Sequence, residues 1–293
     1  MKIAIDSYCY HRYFGEVYPN IETDPGVRLT IADFFDRARM HRVEGVSLES
    51  CFFPAFDDAT IEALRGRCDD AGFDRVWAWG HPQGLRSGSD PAAADDLIRH
   101  VDIARRLGAR VMRICCGGRR TRPASWSAHR EALLPILRRC VDRAATAGIV
   151  LAIENHIDFT ADELVELVTT IDSPWLGVCL DTGNNLRILE DPMLAARKLA
   201  PLARATHIKD VTARSGDPHE FSFWPSVPLG RGLIDIPAIV GWLRDARYDG
   251  LLALEIDFLH PDYHDLEAAI GESLDYLRGV VHPSTCSGPP DRP

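Results

Sequence analysis

The chain has 293 residues, 46% of them hydrophobic, enough for one large α/β domain with a sizeable core. With 43 acidic against 33 basic side chains the formal net charge is −10, which argues against broad binding to nucleic acid or to an anionic membrane surface. No apolar run is long enough to span a bilayer, no leader-like segment precedes the first strand-like run, and the eight cysteines contain no C-x-x-C pair, so a reduced cytoplasmic setting is expected.

In chain order, strand-like runs are predicted at Lys2–Asp6, Gly45–Glu49, Arg75–Trp79, Arg110–Cys115, Val150–Glu154, Gly177–Asp181, Ala205–Ile208 and Leu251–Glu255. Amphipathic helices are predicted at Ile31–His41, Thr60–Ala71, Ala92–Leu107, Ala128–Ala147, Ala161–Thr170, Pro192–Leu199, Ile236–Ala246 and Leu266–Arg278. This βα alternation points to an α/β protein with a single closed (β/α)8 barrel over residues 1–281. A doubly wound open sheet is the competitor, but no Gly-x-Gly-x-x-Gly follows the first strand. The segment His282–Pro293, rich in Pro, Ser and Gly, is expected to form a disordered tail. Two long loops, Cys116–Ser127 and Val211–Ile234, are candidates for binding or lid segments.

Four short polar segments each close an apolar run. They are Ile153-Glu154-Asn155-His156, Leu180-Asp181-Thr182-Gly183-Asn184, His207-Ile208-Lys209-Asp210 and Leu254-Glu255-Ile256-Asp257. Taken singly, Glu154 and Glu255 read equally well as structural ion pairs, Asp181 as a turn or helix cap, and His207 as a core histidine. Taken together, they set three carboxylates and one imidazole at the same end of four neighbouring strands. That donor set suits Mn²⁺, with Mg²⁺, Co²⁺ or Zn²⁺ as alternatives, rather than a thiolate-seeking metal.

These segments, with Pro228-Leu229-Gly230-Arg231-Gly232-Leu233-Ile234-Asp235, resemble the xylose isomerase-like TIM-barrel superfamily of sugar phosphate isomerases and epimerases, over roughly Met1 to Val280. The resemblance implies a single (β/α)8 TIM barrel in which Glu154, Asp181, His207 and Glu255 bind one divalent metal. It also implies that Glu154 and Glu255 carry protons to and from the carbon beside a substrate carbonyl, through an enediolate. The expected partner is a small carbohydrate or cyclitol, with no nucleic acid and no membrane, in a chain that forms a homo-oligomer in similar enzymes.

A weaker substrate shell is expected from His156, Glu49, His81, Lys209, Arg231 and Trp224, with Asp210, Tyr8, His11, Phe52 and Phe53 nearby. Each also has a plain structural reading as an ion pair, a packed ring or a solvated loop residue. Cys116-Gly117-Gly118-Arg119-Arg120 reads as an anion-binding loop or simply a flexible basic one, so an unphosphorylated substrate is favoured slightly. The runner-up activity is a dehydratase or other lyase on a keto-cyclitol, dehydroshikimate-like or keto-glycoside substrate, using the same ligands. An apurinic endonuclease-like activity is a minor alternative: Asp217-Pro218-His219 supplies an Asp-x-His pair, but Asn184 stands where that branch expects a histidine.

Overall fold

The computed structural model describes residues 1–53 and 55–283; from Ser284 onward the expected tail lies outside the described residues. The described residues form ten strands: β1 (Lys2–Asp6), β2 (Gly45–Glu49), β3 (Asp74–Ala78), β4 (Val111–Ile114), β5 (Val150–Glu154), β6 (Leu176–Asp181), β7 (Ala203–Ile208), β8 (Asp210–Val211), β9 (Ser226–Val227) and β10 (Leu251–Leu254). Eight of them close into a parallel barrel in the order β1-β10-β7-β6-β5-β4-β3-β2. Around it lie α1 (Ile31–Met40), α2 (Asp58–Ala71), α3 (Pro91–Leu107), α4 (Trp126–Ala147), α5 (Ala161–Ile171), α6 (Pro192–Leu199), α7 (Ile236–Asp245) and α8 (Leu266–Val281). The barrel expectation therefore holds, with element ends displaced by a few residues.

Those displacements have local causes. Helix α4 begins at Trp126 because Ser125 caps it, its hydroxyl accepting the Ala128 N–H. Helix α2 begins at Asp58 because Asp57 accepts the Thr60 N–H. Gly72, Gly108 and Gly148 adopt positive φ at the ends of α2, α3 and α4 and turn the chain back toward the next strand. Two elements have no clear signal in the sequence pattern. One is a 3₁₀ segment, Ser7–Phe14, directly after β1. The other is the antiparallel pair β8–β9, which ties off the Val211–Ile234 loop.

Strand alternation decides where the polar groups go. The outward side chains of the barrel join the helices in the main core, with Ile5, Leu48, Trp77, Met112, Ile153, Leu180, Ile208 and Leu254 all buried there. The inward side chains form a second, smaller cluster of Ala4, Val76, Ala152, Cys179, Ala205, Leu251 and Ala253, with Val111 against it. Two residues above this floor come Asp6, Arg113, Glu154, Asp181, His207 and Glu255. The register is staggered around the barrel: Asp181 pairs with His207 and Ala4 with Ala253, whereas Arg113 pairs with Ala152 and Glu154 with Cys179. Small residues below and ionisable ones above put the chemistry at the C-terminal mouth, where barrels of this kind work.

Candidate active site

Nine charged side chains are buried at the mouth. Asp6, Glu49, Glu154, Asp181, Glu255 and Asp257 face Arg113, Arg187 and Lys209. Six carboxylates against three fixed cations leave three negative charges, of which His207 can cancel at most one, in a site sealed from water. Buried charge of that size calls for a cation or for protonation.

The ends of β5, β6 and β7 are locked to one another by side chains. Asn155 accepts the Asp181 N–H at 2.7 Å and donates to the Asp181 carbonyl at 2.8 Å. Thr182 accepts the Lys209 N–H at 2.9 Å and donates to the Lys209 carbonyl at 2.6 Å. The Glu255 N–H continues the ladder past β10 to the Ile208 carbonyl at 3.0 Å. These bonds fix the backbone that carries the four expected ligands.

Glu154 is steadied from two sides. Its Oε1 accepts the Asn184 amide at 2.8 Å, and its Oε2 lies 3.1 Å from Arg113 Nε. Burial raises its pKa, but Arg113 and His207 outweigh burial and hold the carboxyl well below its ordinary value. Asp181 uses Oδ1 to accept the N–H groups of Gly183 and Asn184, both at 2.8 Å. Its Oδ2 is 2.9 Å from Lys209 Nζ, without hydrogen-bond geometry. Lys209 Nζ also lies 2.5 Å from Glu255 Oε2 and donates to both oxygens of Asp257 at 3.0 and 3.1 Å. Glu255 is pushed up to about 8, chiefly by burial, with Asp257 and Asp181 adding to it and His207 and Lys209 opposing.

His207 sits at the centre. Its Nδ1 is 3.4 Å from Glu255 Oε2 and 3.8 Å from Glu154 Oε2. Ligand-capable atoms of Glu154, Asp181 and His207 all lie within 4.8 Å of one another. Among the described residues, Asp181 Oδ2, His207 Nδ1 and Glu255 Oε2 are buried with no hydrogen-bond partner. Two carboxylate oxygens and one imidazole nitrogen left unsatisfied, with Glu154 Oε2 3.8 Å from that nitrogen, fit a hard divalent cation.

The rest of the expected shell divides. Glu49 is brought in, held by the Arg113 guanidinium. His156 flanks the mouth, with Nδ1 3.2 Å from the Gly117 carbonyl, and burial lowers its pKa. His81 stacks on Trp79, their rings 5.0 Å apart. Trp224 donates its indole N–H to the Pro218 carbonyl at 2.8 Å. Arg231 faces solvent, 61% exposed, and pairs with Glu272 of α8 at 2.7 Å. Among the described residues it makes no contact with the cluster. Asp210 turns away from the mouth and accepts the N–H groups of Gly230, Gly232 and Ile234, shaping the Gly-Arg-Gly turn instead. Tyr8 and His11 serve the 3₁₀ segment, where His11 pairs with Glu22 at 2.9 Å. Phe52 stacks with Phe14, and Phe53 packs on Trp77. Asp217 and His219 pair with each other on the surface, at 2.9 Å.

Four members of the cluster escape the sequence reading: Asp6, Arg113, Arg187 and Asp257. Asp257 carries a findable signal, because it stands two residues after Glu255 and so shares its face. Arg187 donates to Asp257 at 2.6 Å and lies under the Phe221 ring, 4.3 Å from its centre. Phe221 in turn touches Phe258 and Tyr18, and Arg119 donates to the carbonyls of Arg187 and His219, both at 2.6 Å. The Val211–Ile234 loop therefore roofs the cluster.

The profile of the family described as xylose isomerase-like TIM barrel matches residues 35–280. The 3-oxo-isoapionate decarboxylase of Pectobacterium atrosepticum is 28% identical over 190 residues, 65% of this chain and 64% of that protein. The match thus spans a little under two thirds of the relative's length. Among solved structures, the xylose isomerase domain protein of Planctomyces limnophilus is similar with a TM-score of 0.75 at 20% identity, covering 96% of each chain. An L-ribulose 3-epimerase is similar with a TM-score of 0.71 at 19% identity, covering 100% of this chain and 99% of that one. At these identities the structural likeness is one of fold. Among the described residues no helix is long and apolar enough to cross a membrane.

Proposed function

The chain belongs to the xylose isomerase-like TIM barrel family, and on that premise we propose that it is a divalent-metal-dependent isomerase or epimerase of a small sugar or keto-polyol. What carries the reading is the convergence of Glu154, Asp181 and His207 within 4.8 Å, with Glu255 on the same imidazole nitrogen. A bound cation, Mn²⁺ by preference, would supply Lewis-acid polarisation of a carbonyl and an adjacent hydroxyl. The protein's own groups do the remaining work. Glu154, fixed by Arg113 and Asn184, and Glu255, fixed by Lys209, are two separately anchored carboxylates. One removes the proton beside the carbonyl, and the other returns a proton to the same or the neighbouring carbon. Lys209 and Arg187 keep positive charge near the oxyanion that proton loss creates. The roofing loop keeps bulk water away from that anion. Seven described cysteines are free, which fits the cytoplasm.

The decarboxylase relative favours a second reading on the same residues. Breaking the bond to a carboxylate beside the carbonyl leaves its electron pair where proton removal would leave it, so a lyase needs only one proton donor. The surface pairing of Asp217 with His219, away from the cluster, weighs against a multi-metal nuclease centre.

The test is Mg²⁺-loaded enzyme in D₂O with ketohexoses, inososes, dehydroshikimate and 3-oxo sugar acids. Deuterium beside the carbonyl, with an epimer or aldose–ketose partner, supports the first reading. Release of CO₂ or water supports the second. Chelator-insensitive turnover would sink both.

A further inference from the structure

A neutral imidazole has one N–H and one lone pair, so a histidine can present its lone pair to a cation only if its proton is held on the other nitrogen. Among the predicted ligands His207 alone faces that choice, and the side of the ring turned away from the carboxylate cluster is the informative one. There Nε2 lies 3.4 Å from Asp6 Oδ2. Neither atom has a hydrogen-bond partner among the described residues, so each is the other's unmet neighbour. Asp6 ends β1, is fully buried, and is fixed by its other oxygen, which accepts the Tyr8 N–H at 2.6 Å. Its free oxygen therefore has one direction in which to act.

We propose that Asp6 is the positioning residue of the metal centre: it accepts the His207 Nε2–H and so leaves the Nδ1 lone pair facing Glu154, Asp181 and Glu255. The inference rests on the metal-dependent reading above. The separation of 3.4 Å is at the far edge of a hydrogen bond. A cation drawing on Nδ1 makes Nε2–H a stronger donor and draws the pair together.

Asp6, Glu49 and His207 also lie within 4.8 Å of one another, which could be taken for a second cation site. Two observations argue for a hydrogen bond instead. Glu49 already has its charge met by Arg113, whereas among the described residues no Lys or Arg pairs with Asp6. A second ion would also need Nε2 as a ligand, leaving one imidazole ring stripped of both protons and shared between two cations. The proposal is therefore one cation per chain, with Asp6 as acceptor only.

The experiment compares the full chain with Asp6→Asn and Asp6→Ala by Mn²⁺ calorimetry, together with ¹⁵N NMR of His207 in metal-free and Mg²⁺-loaded protein. Asparagine keeps the Tyr8 cap through its carbonyl oxygen and then aims an N–H₂ donor at Nε2, forcing the proton onto Nδ1. Asp6→Asn should bind Mn²⁺ about 10- to 100-fold more weakly than the parent. Asp6→Ala, which merely deletes the acceptor, should lose less. A purely structural role gives the reverse order, with the smaller side chain doing more harm, and that order would overturn the proposal. Parent-like affinity in Asp6→Asn overturns it too. So does a stoichiometry of two Mn²⁺ in the parent falling to one in Asp6→Asn, which would make Asp6 a ligand. Failure of the metal reading looks different: the parent binds no Mn²⁺ at all. The NMR arm decides in that case as well, since a protonated Nε2 supports the Asp6–His207 pair and a proton-free Nε2 refutes it.

Discussion

The Lys209 ammonium lies 2.5 Å from Glu255 Oε2, on the same oxygen that His207 Nδ1 approaches at 3.4 Å. A built-in cation thus borders the place where a metal ion would bind, and it serves Asp181 and Asp257 as well. Lys209→Met removes that charge and leaves three buried carboxylates short of a partner. The metal-free variant should lose about 3–5 kcal/mol of stability. It should also bind Mn²⁺ more tightly than the parent, because a competing positive charge has gone. Thermal melts with and without Mn²⁺ check both: the ion should raise the melting temperature of the variant more than that of the parent. An equal rise would show that Lys209 and the cation do not share a field.

Chelation tests the centre directly. At a free Mn²⁺ concentration of 100 times Kd, binding adds about 2.7 kcal/mol, or roughly 5–10 °C for a domain of this size. EDTA should remove that increment, and re-addition of Mn²⁺ or Co²⁺ should restore it together with activity.

The two glutamates should separate from the histidine. Glu154→Gln and Glu255→Gln are each expected to lower turnover about 10²- to 10⁴-fold, as loss of a proton carrier does. His207→Ala should act mainly on metal affinity, and raised Mn²⁺ should recover part of its activity. Normal turnover in the double Glu→Gln variant would refute the proton-transfer mechanism.

Asp158 gives a pH prediction away from the metal. It is fully buried, both carboxylate oxygens lack partners among the described residues, and burial pushes it up to about 8 from 3.8. The folded chain keeps this proton while the unfolded chain releases it. Its contribution is therefore full below the unfolded value and is lost as pH rises toward 8. Asp158→Asn does not titrate. The stability difference in favour of the variant should widen by about 1.4 kcal/mol per pH unit between roughly pH 4 and 8. Urea melts at four pH values would read the slope, and a flat difference would contradict it.

Gly232 tests the turn that Asp210 shapes. A Cβ there would meet Asp210 Oδ1 at 2.2 Å and the Val211 carbonyl oxygen at 2.4 Å. Gly232→Ala should cost about 1–3 kcal/mol. Because this turn adjoins β8–β9, the roofing loop should become more sensitive to protease in the variant than in the parent.

Glu154, Asp181, His207 and Glu255 were legible because each closes an apolar run, and a strand sends alternate residues to the same face. The barrel was legible for the same reason, repeated eight times with helices between. Asp6 was hidden because β1 runs straight into a 3₁₀ segment, so nothing marks its carboxylate as facing inward rather than capping the turn. It does both. Arg113 was hidden because one charge inside Val111–Ile114 looks like an edge residue until Glu154 on the next strand and Glu49 two strands away are seen to hold it. Arg231 shows the opposite difficulty. The Gly-Arg-Gly turn is evident from sequence, but the direction it faces is set by Asp210, and the arginine points outward to Glu272.

The layer of small side chains beneath the mouth acts as a spacer. Ala4, Ala152, Ala205 and Ala253 set the height at which the ionisable groups above them rest. Enlarging one of them would tilt a ligand from below by a fraction of an ångström, a displacement that catalysis registers strongly although no reacting group has changed. The substrate range of this barrel is thus open to adjustment from its basement, at positions that a search confined to the mouth would pass over.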